Sequence, residues 1–200
     1  MKVVVGFDPP SICNLGFAKF SINESRKTVK LVEAGVVSLE KSYDDEIFDY
    51  DFAVKTAKLE DFLVDFYVDN DVAEIVIEQQ ILGKKGNRFA SPFLIAQTNN
   101  MSTTLQRMAY RNNVERNIIH NKTLKKNITG SGAATKEDVM AAVMDILDLN
   151  IDYDDNTEKQ YIKKYEHTYD AMALVLGRYM GLGYSARKYK KKFRVKIFNI

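Results

Sequence analysis

The opening eight residues constrain the fold most. Lys2–Phe7 reads Lys-Val-Val-Val-Gly-Phe and ends on Asp8. Consecutive apolar, β-branched residues without polar alternation predict a central strand covered on both faces. The carboxylate that stops the run is the unusual part. An acid beside apolar surroundings loses hydration, so it needs a hydrogen-bond partner, a counter-charge or a cation. The run is too short for a secretory leader, and no apolar stretch approaches the ~20 residues that span a bilayer. These features predict a chain that is neither secreted nor membrane-bound.

Strand and helix patterns follow in a readable order. Gly16–Ile22 and Thr28–Leu39 are β-rich and separated by short polar turns, which predicts an antiparallel meander. Asp45–Val68 predicts a helix, because Leu59, Phe62, Leu63 and Phe66 recur at i, i+3, i+4 and i+7. Ala73–Glu78 predicts a second buried strand, Gly83–Asn87 a loop, Pro92–Arg111 a helix and Val114–His120 a strand. Thr129-Gly130-Ser131-Gly132 predicts a loop, after which Thr135 caps a helix with Asp138 three positions on. Val139, Ala142, Val143, Ile146 and Leu147 form that helix's apolar face. Asn150–Asn156 is an acidic linker, and Glu166–Met180 lies in the last helix. The order β-β-β-α-β-α-β-α-α predicts an α/β domain with a five-stranded mixed sheet, three antiparallel strands first, flanked by helices. Two hundred residues, 46% of them hydrophobic, suffice for one such core. Residues 1–184 are read as that domain and 185–200 as a basic tail, with an edge strand or dimer element through Phe193, Val195, Ile197 and Phe198 as the alternative.

Composition narrows the chemistry. A single cysteine, Cys13, excludes an intramolecular disulfide and a cysteine-rich zinc site, and two histidines exclude a histidine-rich one. The net charge of +2 conceals segregation. Asp44 to Glu74 is strongly acidic. Arg107 to Lys136 holds seven basic residues against Glu115, and Arg187 to Lys196 holds seven more. Charge sorted in this way predicts a polyanionic partner, with Lys190, Lys191 and Lys192 contacting it from the tail.

Three carboxylates stand out. Asp8 and Glu78 each end an apolar strand, and strands that are neighbours bring such ends together. Asp170 follows His167 by three residues, which places both on one face of the last helix. Three carboxylates and an imidazole suit two divalent cations of the Mg²⁺ or Mn²⁺ type.

These blocks, in this order, resemble the RuvC-type Holliday junction resolvases of the RNase H-like superfamily. The resemblance spans Lys2 to Tyr179 in four blocks. They are Gly6-Phe7-Asp8-Pro9-Pro10-Ser11 with Leu15-Gly16-Phe17-Ala18, Ile75–Gln80, Thr129–Lys136, and His167-Thr168-Tyr169-Asp170-Ala171-Met172-Ala173-Leu174. It implies an RNase H-like fold in which Asp8, Glu78, His167 and Asp170 are the catalytic metal ligands for two Mg²⁺ ions, with Mn²⁺ able to substitute. It implies that Lys125, Lys126 and Lys136 lie beside the scissile strand, and that Arg88 and Phe89 contact DNA. It also implies paired symmetric nicks in a four-way junction by a homodimer, in the compartment that holds the DNA. The dimer contact is expected on Phe93, Leu94, Met101, Leu105 and Met108, the alternative being that these residues face the chain's own core. Two positions depart from the pattern. Pro10 replaces a glycine, and Ile81 stands where the family often has a base-stacking aromatic, leaving Phe89 or Ile81 itself as the candidate for that role.

Three other readings compete. Another RNase H-like nuclease, cutting RNA–DNA hybrids or damaged DNA, would use the same carboxylates. A nucleotide-binding protein of the actin type needs a second half that 200 residues do not supply. A non-catalytic DNA-binding module has no reason to turn carboxylates toward a polyanion.

Overall fold

The computed structural model describes residues 1–8, 14–38, 48–79, 92–149, 158–189 and 195–199, with backbone alone at 48–53, 92–98 and 158–165. Its elements are β1 (Lys2–Asp8), β2 (Asn14–Asn23), β3 (Thr28–Ser38), α1 (Phe48–Asp69), β4 (Val72–Glu78), α2 (Pro92–Arg111), β5 (Glu115–Ile119), α3 (Asn121–Thr129), α4 (Lys136–Leu147), α5 (Glu158–Met180), β6 (Ser185–Arg187) and β7 (Lys196–Asn199). The expected meander is present, with β1, β2 and β3 pairing antiparallel in turn. β4 joins β1 in parallel and β5 joins β4 in parallel, so the valine-rich β1 is central.

Period-two alternation sorts the strands' side chains between two cores. Val5, Phe7, Phe17, Ile75 and Ile77 pack with Leu59, Leu63 and Phe66 of α1 and with Met101, Leu105 and Met108 of α2. Val4, Ala18, Phe20 and Val76 pack with α3, α4 and α5 on the other face. The apolar stripe read in α1 is therefore its buried face. The apolar positions of α2 correct an expectation. Met101, Leu105 and Met108 are buried in the chain's own core and do not form a dimer surface. The side chains of Phe93 and Leu94 lie outside the described residues.

Three elements depart from the sequence reading. First, α3 occupies part of what was read as strand-to-loop connection. It is short and rich in Asn, Thr and Lys, and it holds because His120 Nδ1 accepts the Lys122 backbone N–H at its start. Leu124 and Ile128 bury one face, and Gly130 (φ 82°) ends it in the left-handed conformation that glycine adopts without strain. Second, α5 begins at Glu158, ahead of the residues read as helical. Third, the sheet has seven strands, because the segment read as a tail adds β6 and β7 in parallel to the outer edge of β3. The Gly83–Asn87 loop and the Asn150–Asn156 linker lie outside the described residues.

β7 is anchored by more than backbone pairing. The Phe198 ring lies 5.6 Å from Phe17 and 5.5 Å from Phe62, between sheet and α1. Lys196 Nζ pairs with Glu33 at 2.7 Å. Phe198→Ala should therefore cost about 1–3 kcal/mol, below the roughly 3–5 kcal/mol of a fully buried aromatic because the ring is only partly buried. That corresponds to a fall of several degrees in the thermal midpoint, about 2–4 °C per kcal/mol at this size. An unchanged midpoint would mean that the segment is not part of the folded domain.

Candidate active site

Strand geometry delivers the first two carboxylates. Asp8 lies two residues beyond Gly6, and Glu78 two beyond Val76. Both therefore face the α5 side, where Val76 packs. Phe7 pairs with Ile77 across the parallel β1–β4 ladder, so Asp8 and Glu78 end neighbouring strands side by side.

α5 brings the other two. It lies over β1 and β2 with almost nothing between them, because a Cβ on Gly6 would overlap the Ala171 carbonyl and one on Gly16 would overlap the His167 backbone. A strand glycine of this kind marks the close approach of another backbone. Thr168, fully buried, donates from Oγ1 to the Gly35 carbonyl at 3.2 Å and ties the same turn to β3. His167 and Asp170 then fall directly over Asp8. His167 Nδ1–H donates to Asp8 Oδ2 at 2.7 Å, and one ligand atom each from Asp8, His167 and Asp170 lie within 4.8 Å of one another.

The electrostatics of the cluster fit a cation. Burial raises the Asp170 proton affinity to about 6, and the charges of Asp8 and Glu166 push the same way. The hydrogen bond to Asp8 raises His167, outweighing the opposing effect of burial. Burial also raises Glu78, reinforced by the charge of Asp8 and opposed by a hydrogen bond from Asn121. The half-buried carboxylates Asp8 and Asp170 repel each other beside an imidazole, and a shared divalent ion would relieve that repulsion.

Of the residues expected at the site, the structure brings Asp8, His167 and Asp170 into one cluster, with Glu78 on the adjoining strand. Lys136 Nζ pairs with Glu166 and lies 3.4 Å from Asp170 Oδ2. Lys125 Nζ donates to the Ala134 carbonyl at 2.6 Å, which clamps the loop before α4 onto α3. Lys126 is exposed on α3. Arg88, Phe89, Ile81, Pro10, Lys190, Lys191 and Lys192 lie outside the described residues. Two participants escaped the sequence reading. Asn121 Nδ2 donates to Glu78 Oε1 at 2.5 Å, and Glu166 holds Lys136. Asn121 stands beside Glu78 only because β5 neighbours β4, and no local motif signals that.

These shifts set a pH dependence. Asp170, Glu78 and His167 all bind protons more tightly folded than unfolded. Each therefore contributes stability at low pH that is lost as pH rises through its folded value. In chelator, the thermal midpoint should fall between about pH 5 and 8, a window above the range where the lowered carboxylates titrate. Mn²⁺ should restore it most at the alkaline end, where protons no longer compete for the ligands. A midpoint that rises over that range, or a Mn²⁺ effect independent of pH, would contradict the electrostatic picture.

No protein-family model and no curated protein sequence matches the chain. Its fold does have solved counterparts. Thermus thermophilus RuvC in complex with a Holliday junction substrate superposes with a TM-score of 0.66 at 18% identity, over 91% of this chain and 95% of that one. The yeast mitochondrial Holliday junction resolvase gives 0.58 at 20% identity, over 89% and 78%. The fowlpox virus resolvase with its substrate Holliday junction DNA gives 0.54 at 15% identity, over 90% and 98%. Over about nine-tenths of its length, this chain has the fold of the RuvC-type Holliday junction resolvases.

Proposed function

We propose that this protein is a divalent-metal-dependent endonuclease that resolves four-way DNA junctions by paired nicks. A homodimer would match the two-fold symmetry of the junction. The observation that carries the reading is the convergence of Asp8, His167 and Asp170, with Glu78 on the next strand, at one sheet end of a resolvase fold. Two of the solved counterparts are complexes with Holliday junction DNA, which supports branched DNA as the substrate.

Asp8 is central in the sheet and would be shared, with His167 and Asp170 completing one cation site and Glu78 contributing to a second. Mg²⁺ or Mn²⁺ bound there would supply charge stabilisation to the phosphodiester and lower the proton affinity of the attacking water. A histidine ligand suits Mn²⁺ better than Mg²⁺. The chain's own groups prepare the ground. The Asn121 carboxamide fixes the Glu78 carboxylate, and the Thr135–Asp138 capping box fixes the first turn of α4, where Lys136 begins. Lys136 is half-exposed, and with Lys125 it offsets the carboxylates that would otherwise repel a phosphate. Lys126, and in the tail Lys190, Lys191 and Lys192, would hold the duplex arms.

The test is nicking of a four-way junction in Mg²⁺, run beside a linear duplex and an RNA–DNA hybrid. Asp8→Asn, Glu78→Gln and Asp170→Asn should each slow junction cleavage by at least about a hundredfold, since loss even of groups that only support ligands costs up to that much. Junction binding should persist, because the carboxamides remove repulsion of the phosphate. His167→Ala should fail where His167→Asp retains activity. Cleavage of the hybrid in preference to the junction, or wild-type rates in the carboxamide variants, would overturn the proposal.

A further inference from the structure

We propose that Glu166 is a positioning residue that draws the Lys136 ammonium away from Asp170 when a cation occupies the cluster. The inference rests on the metal-site reading above and adds a device that governs loading.

The geometry places one ammonium between two acceptors. Lys136 Nζ pairs closely with Glu166 Oε1 and lies 3.4 Å from Asp170 Oδ2. An ammonium has three donors, so both contacts are made at once. The lysine sits at the first position of α4, behind the Thr135–Asp138 capping box, and its backbone does not need to move. Both acceptors belong to α5, on either side of His167. The element that carries two candidate ligands therefore also carries the lysine's second acceptor.

Without a divalent ion, Lys136 is shared between Glu166, its closer partner, and Asp170. The Asp170 carboxylate is half-buried and repelled by Asp8 and Glu166, and the ammonium offsets that repulsion. A divalent ion arriving on Asp170 would face the ammonium at close range, and like charges there oppose each other strongly. Glu166 lowers that opposition by giving the ammonium another carboxylate. There is room for the shift, because a cavity of about 90 Å³ adjoins the pair, lined by Lys136, Glu137, Met140, Glu166, Tyr169 and Asp170. The lysine side chain is 56% exposed, so once withdrawn it keeps donors free to meet a phosphate.

A double-mutant cycle on Mn²⁺ affinity, measured by titration of the full-length protein without DNA, tests this. Lys136→Met should tighten Mn²⁺ binding. Glu166→Gln should weaken it by about three- to tenfold, because the ammonium then stays on Asp170. In the Lys136→Met background, Glu166→Gln should change the affinity by less than about twofold, since contacts made through one partner do not add. Equal weakening in both backgrounds would overturn the proposal, because Glu166 would then act only as a distant negative charge. Lys136→Gln replaces Lys136→Met if the latter does not fold. Absence of Mn²⁺ binding in the wild type would instead defeat the metal-site reading itself. Wild-type binding that all the variants leave unchanged would defeat only the role of Glu166.

Discussion

The contact on which the site depends is the bare approach of α5 to the strands beneath it. Gly6 and Gly16 carry no Cβ, and the helix backbone at Ala171 and His167 occupies the space that side chains would fill. Helix-to-sheet spacing is set by the side chains at the contact, so two glycines in one place lower the helix locally. Asp8 is short and belongs to a strand, and His167 and Asp170 belong to a helix. Only a close approach lets ligand atoms from both meet within 4.8 Å. The remaining features maintain this one, including the Thr168 bond to Gly35 and the packing of Tyr169 and Met172 into the adjoining core.

β4 shows how the same residue type serves two ends. Glu74 and Glu78 lie four positions apart on one strand and face the same side of the sheet. Glu74 is buried at 1% exposure and saturated by donors: Lys2 at 2.5 Å, the Tyr179 hydroxyl at 2.6 Å and Asn117 at 2.8 Å. A carboxylate so fully paired is structural, and it joins β1, β5 and α5 at the end of the sheet remote from Asp8. Among the described residues Glu78 accepts from Asn121, and it faces the charge of another acid. The difference in partners, not in burial alone, separates the carboxylate that holds the fold from the one proposed to meet a cation.

How much of this is legible in the sequence depends on distance along the chain. Strand β1 and its terminal acid, the α1 stripe, the α4 capping box and the His167–Asp170 spacing are local patterns, and each appears in the structure where its residues predict it. α3 was hidden because it is short and four of its nine residues are Asn or Thr, which are weak helix formers, and its stability comes from a histidine cap and two buried residues. β6 was hidden by its charge, and for β7 the charge favoured a surface tail over the edge strand that the alternation of Val195, Ile197 and Phe198 also allowed. Lysines and arginines mask an edge strand whose inward positions, Phe198 above all, do the packing. The apolar face of α2 was visible, but periodicity does not say whether such a face meets its own core or a second chain. Asn121, Glu166 and the glycine contacts join residues far apart in sequence, and only the fold brings them together.

Glycine-permitted approach of α5 would assemble the proposed cation site, and Mn²⁺ binding by Gly16→Ala tests this most directly. Gly177→Ala is the control, because it crowds the same helix against Leu124 without touching the ligands. Both substitutions should lower the thermal midpoint, overpacking costing about 1–3 kcal/mol. At a temperature where both remain folded, Gly16→Ala should lose Mn²⁺ affinity by about tenfold or more, a shift of the kind expected when ligand geometry is displaced. Gly177→Ala should bind as the wild type does. A folded Gly16→Ala protein with wild-type Mn²⁺ affinity would contradict the account.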